Sequence, residues 1–393
     1  MRNNHVLNII NHKACLGCGL CASVGKTTNC SMNIGDDGFY YPSSITDPKD
    51  TLFIDKICPG RNVRIGNNRS KEIWGHVKEI YEGWATDKNI RHSASSGGVL
   101  SAICIELLRS RYVSAILHVG NCEDSPKFNS LQISRTEEDV LKRCSSRYAP
   151  ANVFSEIDKF LDLNERFAFV GKPCDITAIK AYLKECPHYK HKIKIFLSFF
   201  CAGIPSYLGT DKLLDSNKKL TCLKYRGNGW PGFFTAKYND GTEFKMSYSD
   251  SWGSVLGSYV NYRCKICPDG IGLDADIVAA DSWVTKDGYP DFEERDGKNF
   301  VLVRSDIGCE IIDKCISDVA LYLENLDSES ITKKQPYQFN RRRQLGWRIL
   351  GVQIASGWFY RFSGIGAFRN LVLINPLKGI KICIGTIKRY FAK

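Results

Sequence analysis

The chain has 393 residues, 43% hydrophobic and 24% charged, with a formal net charge of +12 and seventeen cysteines. That length supports two or three domains with real cores, and no run of eighteen apolar residues is present to cross a bilayer. An odd cysteine count behind the polar start Met1-Arg2-Asn3-Asn4-His5 argues against a secreted disulfide framework; the expectation is a reducing cytoplasm, where thiols stay available for metal.

Residues 1–65 are rich in Cys, Gly and Asp. The run Cys15-Leu16-Gly17-Cys18-Gly19-Leu20-Cys21 spaces three thiolates by two residues each, so that they can wrap one compact centre while the glycines let the backbone turn. Bacterial ferredoxins hold a [4Fe–4S] cluster with this run plus a distant cysteine followed by proline. Cys58-Pro59-Gly60 supplies that context; Cys30 is nearer in sequence and is the alternative fourth ligand.

Residues 72–150 show an α/β pattern. A strand over 79–85 leads through Ser93-Ala94-Ser95-Ser96-Gly97-Gly98 into a helix over about 98–109, and a strand over 113–119 follows. Hydroxyls and glycines at a helix N-terminus suit a phosphate, although serine is also an ordinary cap. Arg147-Tyr148 adds a cation and an aromatic face, which suit a pyrophosphate or an isoalloxazine ring and equally an ordinary loop anchor.

Residues 151–325 repeat the theme. A strand over 166–170, the turn Gly171-Lys172-Pro173-Cys174, a helix over 175–184 and a strand over 193–200 ending at Cys201 form a right-handed crossover of parallel strands. Turns that follow parallel strands share one sheet edge, where ligands collect, so Cys174 and Cys201 are expected to meet there. Cys264-Lys265-Ile266-Cys267-Pro268-Asp269-Gly270 offers two more thiols. Four such ligands suit zinc or a [4Fe–4S] cluster. Residues 222–262 read as antiparallel strands with a turn at Asn239-Asp240-Gly241. Core packing is expected for most of the other cysteines.

Residues 326–393 form a basic tail. From Ile331 to Lys393 there are thirteen Lys or Arg and no Asp or Glu, so the first 330 residues are close to neutral. Arg341-Arg342-Arg343 interleaved with Trp347, Trp358, Phe359 and Tyr360 suits docking to an anionic membrane surface or to a partner. A solvated helical pair packed on the body is the plainer expectation, and nucleic acid ranks last.

Several motifs then occur in one order: Ser95-Ser96-Gly97-Gly98, Gly171-Lys172-Pro173-Cys174-Asp175, Phe200-Cys201-Ala202-Gly203-Ile204-Pro205-Ser206, Arg226-Gly227-Asn228-Gly229-Trp230-Pro231-Gly232, Arg263 to Asp269, Ala275-Asp276-Ile277 and Asp281-Ser282-Trp283. Over about residues 10–325 the chain resembles the family of coenzyme F-420 hydrogenase/dehydrogenase beta subunits, in particular bacterial members that accompany polysaccharide biosynthesis genes. The resemblance implies FAD and two 4Fe–4S clusters. Cys174, Cys201, Cys264 and Cys267 would hold the flavin-proximal cluster, and Cys15, Cys18 and Cys21, with Cys58, the entry cluster. Ser95, Ser96, Gly97, Gly98, Arg147 and Lys172 become flavin-side candidates. Many members carry a second complete Cys-x-x-Cys-x-x-Cys run; only Cys58 remains of it here, so two clusters in the N-terminal module are not expected.

The expected fold is thus α+β or α/β: a small ferredoxin-like N-terminal module (1–65), a flavin-binding body with a mixed sheet (72–150 and 151–325), and a basic helical tail (326–393). The expected function is an iron–sulfur flavoprotein oxidoreductase, cytoplasmic or peripheral at the inner face of the membrane. It would pass electrons from a ferredoxin-like donor to an organic small-molecule substrate, with polysaccharide or nucleotide-sugar metabolism first in line. Asp175, Asp281 and Tyr148 are the proton-donor candidates beside the flavin. The alternatives are an electron-transfer subunit without its own substrate and a zinc-stabilised binding protein.

Overall fold

The structure is a computed structural model that describes residues 5–24, 30–43, 45, 47–66, 72–122 and 124–392. Its body is built on an eight-stranded mixed sheet. In chain order the strands are β1 (Glu79–Ala85), β2 (Ala115–Cys122), β3 (Ser125–Ser134), β4 (Phe167–Gly171), β5 (Ile193–Phe199), β6 (Ile277–Asp281), β7 (Asn299–Val303) and β8 (Leu321–Asn325), in the spatial order β8-β1-β7-β6-β5-β4-β2-β3. The neighbours β2, β4, β5 and β6 run parallel; the remaining pairs are antiparallel. Strands drawn from both 72–150 and 151–325 therefore share one sheet.

Alternate residues of each central strand enter opposite cores. Val278, Phe300 and Leu302 face one side, and Ile277, Ala279, Val301 and Val303 the other. Burial on both faces is why these strands read as short unbroken apolar runs. Helices α1 (Val99–Arg109) and α3 (Asp306–Ser317) cover one face through Ile103, Ile311 and Ile312. On the other face α2 (Pro173–Glu185) places Ile176 and Ile179 beside Phe167 and Phe169. It joins β4 to β5, the crossover that the 166–200 pattern predicts.

A smaller antiparallel sheet, Leu220–Lys224, Phe233–Tyr238 and Glu243–Ser247, packs around Tyr225, Phe234 and Leu256. Its strands stop earlier than expected. Ser249–Val255 is π-helical and Leu256–Tyr259 a 3-10 turn. The Ser247 hydroxyl accepts from Asp250 N at 3.1 Å, and Ser251 Oγ donates to Ser247 O at 2.7 Å. These local side-chain bonds favour a helical turn over the next strand.

The tail is a helical pair packed on the body, as expected, but its arginines are not all solvated. Helices α4 (Pro336–Ser356) and α5 (Pro376–Phe391) pack side by side. Gly351 lies against Cys383 and Thr386, and Gly379 against Trp347. The contacts advance together along both helices, so the two run in the same direction. Arg341 and Arg342 are buried rather than displayed. Between the helices, Arg361–Ser363 pairs in parallel with Asn62–Arg64, which ties the tail to the N-terminal segment.

A Cβ at position 379 would stand 2.1 Å from the Trp347 ring. Gly379→Val is therefore expected to cost about 1–3 kcal/mol through overpacking, read as a lower thermal midpoint by circular dichroism.

Candidate functional site

Around the N-terminal cysteines, the helices His5–Asn11, Leu20–Val24 and Pro48–Ile57 and the paired strands Met32–Ile34 and Tyr40–Pro42 enclose an apolar cavity. Cys15, Cys18, Cys21 and Cys58 all line it, among side chains such as Val6, Ile9 and Ile54. The Cys58 turn closes tightly, with Asn62 N donating to Cys58 O at 2.8 Å. A Cβ on Gly60 would approach Ala14 O to 2.4 Å, so only glycine fits there. Cys30 is not among the lining residues; a side-chain hydrogen bond links it to Cys21.

Removal from water governs these thiols. Burial pushes Cys15 up to about 12 and raises Cys18 and Cys58. At Cys21 the bond with Cys30 raises the thiol first and burial second. The Gly17 amide opposes this by donating to Cys15 Sγ at 3.4 Å. Such thiols keep their protons at neutral pH until a metal supplies the compensating positive charge. Four of them in an apolar cavity form a donor set that fits an iron–sulfur cluster.

The second set sits at the sheet edge. Register places Gly171 level with Ser198 and Ala279 level with Phe199, so the turns bearing Cys174 and Cys201 leave the same edge. Cys201 N donates to Gly270 O at 2.9 Å, which seats the 264–270 turn over that edge. Cys174 feels the charge of Cys201 and Cys267, and Cys201 that of Cys264 and Cys267. Burial again raises Cys174 and Cys264 and pushes Cys201 up to about 12. Lys172 stands beside Cys174 and Cys201 and donates to Asp175 at 2.6 Å. Among the described residues, no three His, Cys, Asp or Glu side chains are arranged to hold a single metal ion.

Two arginines to which the sequence reading gave no role at the site organise this set. Arg341 of α4 donates through Nη1 to Cys201 O at 3.0 Å and Ala202 O at 3.3 Å, and through Nη2 to Cys264 O. Gln338, one turn earlier, donates to Cys201 O at 3.0 Å. Arg263 donates to Gly60 O at 2.8 Å and Pro59 O at 2.9 Å, while Asn261 Nδ2 donates to Cys15 O at 3.3 Å. Residues 261–264 thus join the two thiol sets directly. The absence of any acid from 331 to 393 was the available signal for Arg341: a buried guanidinium without a nearby carboxylate in its own segment must seek carbonyls elsewhere.

The Ser95–Gly98 turn lies between β1 and α1 on the same edge. Ser95 Oγ accepts from Ser146 N, Ser96 Oγ donates to Lys298 O at 2.9 Å, and Gly97 O accepts from Ala85 N at 2.8 Å. Gly98 takes φ 78° at the start of α1. Arg147 turns inward, donating to Asn129 Oδ1 at 2.7 Å, Leu223 O at 2.8 Å and Pro126 O at 2.6 Å. It anchors its loop.

Beside this turn stands a cluster whose full extent the sequence did not reveal. Arg226 bonds both oxygens of Asp281, at 2.9 and 2.7 Å, and Trp230 Nε1 adds a third bond at 2.7 Å. Trp230 stacks on Trp283 at 4.8 Å, and Tyr248 lies 5.7 Å from the same ring. Asp281 thus accepts three side-chain hydrogen bonds, two of them from its ion-pair partner Arg226. Asp175 is held the same way by Lys172, and Tyr148 packs 4.7 Å from Trp252.

Arg341→Met keeps the length of the side chain and removes every donor. It is expected to cost about 3 kcal/mol, as buried carbonyls lose their partners, measured by urea unfolding; Lys378→Met, on an exposed position of α5, should leave the unfolding midpoint in place.

Residues 80–158 match the family model described as coenzyme F420 hydrogenase/dehydrogenase, beta subunit N-term, and residues 164–329 match the corresponding C terminus. The coenzyme F420 hydrogenase subunit beta of Methanococcus voltae is 26% identical, the match spanning 70% of this chain and 98% of that protein. The protein of the same description from Methanosarcina barkeri is 23% identical over 60% of this chain and 77% of its own length. Among solved structures, a chain of the F420-reducing [NiFe] hydrogenase complex from Methanosarcina barkeri shares the fold, with a TM-score of 0.54 at 17% identity, covering 71% of this chain and 94% of that one. With both family models matched in order on one continuous sheet, the chain belongs to the family of coenzyme F420 hydrogenase/dehydrogenase beta subunits.

Proposed function

We propose that this protein is an iron–sulfur flavoprotein oxidoreductase that carries electrons from a ferredoxin-like donor to an organic small molecule. The observation that carries the proposal is the short bridge from Cys15 and Cys58 through Asn261 and Arg263 to Cys264, which puts two thiol sets in sequence toward the sheet edge. When bound, clusters at these sites would supply single-electron transfer and a flavin would convert it to two-electron chemistry. Cys15, Cys18, Cys21 and Cys58 would hold the entry cluster, and Cys174, Cys201, Cys264 and Cys267 the inner one.

The chain's own side chains do the positioning. Arg341 and Lys172 place fixed positive charge beside the inner thiols, which offsets the negative charge of a thiolate-ligated cluster. Arg263 lowers the pull of burial on both Cys58 and Cys264. The Ser95–Gly98 turn, with Arg147 fixing the loop beside it, supplies backbone amides at the start of α1 for a dinucleotide phosphate.

The relatives carry the names of subunits, which favours as a second reading an electron-transfer subunit that passes its electrons to a catalytic partner. A sugar or nucleotide-sugar is the first substrate to test if the chain turns over alone; the sequence resemblance supports that choice.

Anaerobic purification should give a brown protein with about eight iron and eight sulfide per chain and FAD released on denaturation. Colourless protein containing only zinc would reject the proposal, and full iron without flavin would favour the second reading. Cys58→Ser should lose about half of the iron, whereas Cys30→Ser should keep all of it; the reverse pattern would move the fourth ligand to Cys30.

A further inference from the structure

Helix α5 carries three longitudinal faces. Gly379, Cys383 and Thr386 are buried against α4. Leu377, Ile380, Ile384 and Phe391 recur at spacings of three, four and seven, so they align along one side, and they are exposed, Leu377 by 72% and Phe391 by 67%. Lys378, Lys381, Lys388 and Arg389 take the third face and are exposed as well. The segment leading into the helix adds Phe368 and Val372, 84% and 82% exposed.

We propose that this apolar face of α5, with its bordering lysines, lies in the plane of an anionic lipid surface. Charge decides among the possible occupants. Residues 331–393 contain no acid, so the face seeks a negative surface. Lysine is depleted in protein–protein interfaces, yet here a lysine row borders the stripe throughout. A second copy of the chain would bring like charges together. A lipid surface takes both features at once: the apolar side chains enter the acyl boundary while lysine stems run along it with their ammonium groups at the headgroups.

The geometry suits a helix that lies on the surface. Sixteen residues span about 24 Å, and among the described residues no helix is long and apolar enough to cross a membrane. The helix is also held ready for contact. Gly379 seats it on Trp347, and its far end is fixed where Lys13 Nζ donates to Tyr390 O at 2.8 Å and Tyr390 packs 5.6 Å from Tyr262. Docking therefore orders little that is not already ordered.

Whether the thiols hold clusters does not enter this proposal, and binding alone tests it. The full chain is sedimented with vesicles of phosphatidylcholine, and with vesicles in which about one third is phosphatidylglycerol. Binding to the anionic vesicles is expected to be at least about tenfold tighter and to fall in 0.5 M salt, a concentration at which exposed charges are screened within about 4 Å. The double variant Leu377→Glu/Ile384→Glu should lose that binding without a lower melting temperature, since both side chains are exposed; Tyr289→Glu, at another exposed aromatic, should keep it. Should the double variant melt early, Lys378→Gln/Lys381→Gln reads the same face through charge alone. Equal binding to both vesicle types, undiminished binding by the stripe variants, or a dimer that ignores vesicles would each overturn the proposal, the last by giving the face to a second copy.

Discussion

The architecture hangs on guanidinium groups buried against main-chain carbonyls. Arg263 holds Pro59 and Gly60 of the N-terminal module. Arg304 gathers Trp74, His76 and Ile271. Arg341 holds Cys201, Ala202 and Cys264, and Arg342 holds Ile73, Pro268 and Ile365. A guanidinium stays charged in any protein and offers five donors in a fixed plane. Each of these side chains can therefore fasten two or three loops that have no regular structure of their own. Burying that charge is costly without anionic company, and around Arg341 the groups that can become anionic are the Cys267 thiol, the Tyr337 phenol and the thiols of Cys264 and Cys201. The same cation that fixes the loop backbone favours the charged form of the thiols beside it.

Local pattern carried much of the body. The strand at 79–85, the helix into 109 and the crossover through 166–200 follow from apolar runs punctuated by glycine and proline, and the rule for parallel strands was enough to place Cys174 and Cys201 at one edge. Cys15, Cys18 and Cys21 were legible as a group because two-residue spacings hold thiols close along the chain, whereas Cys58 was legible only through the proline that follows it. Long-range pairings were not legible. Arg226 and Asp281 are 55 residues apart, and Arg263 reaches back more than 200 residues to Gly60. No periodicity encodes such distances. Arg147 read equally as a phosphate-side cation and as a loop anchor, because sequence cannot show that Asn129, Pro126 and Leu223 take its donors. The Arg341-Arg342-Arg343 run misled for the same reason: composition reports charge, but burial depends on which carbonyls a helix is laid across.

The family models end at residue 329, yet α4 reaches into the inner thiol site through Gln338 and Arg341. The tail is therefore a structural part of that site rather than an appendage. Its two helices divide the work: α4 faces inward and is arginine-rich, and α5 faces outward and is lysine-rich. That division follows from chemistry, since the planar guanidinium suits buried carbonyls and the flexible, strongly hydrated ammonium suits an exposed boundary.

The parallel pairing of Asn62–Arg64 with Arg361–Ser363 also sets an order of assembly during synthesis. The segment carrying Cys15 to Cys58 leaves the ribosome first, but the strand that finishes its sheet and Tyr360, whose hydroxyl bonds His12 O at 3.2 Å, emerge about 300 residues later. At 5–20 residues per second that interval is roughly 15–60 s. Throughout it Cys15 and Cys58 lack the apolar cluster containing Val352 and Tyr360 that packs against them in the finished fold. Covering that side of the N-terminal segment is one of the last acts of translation, so the end of the chain completes the packing of its beginning.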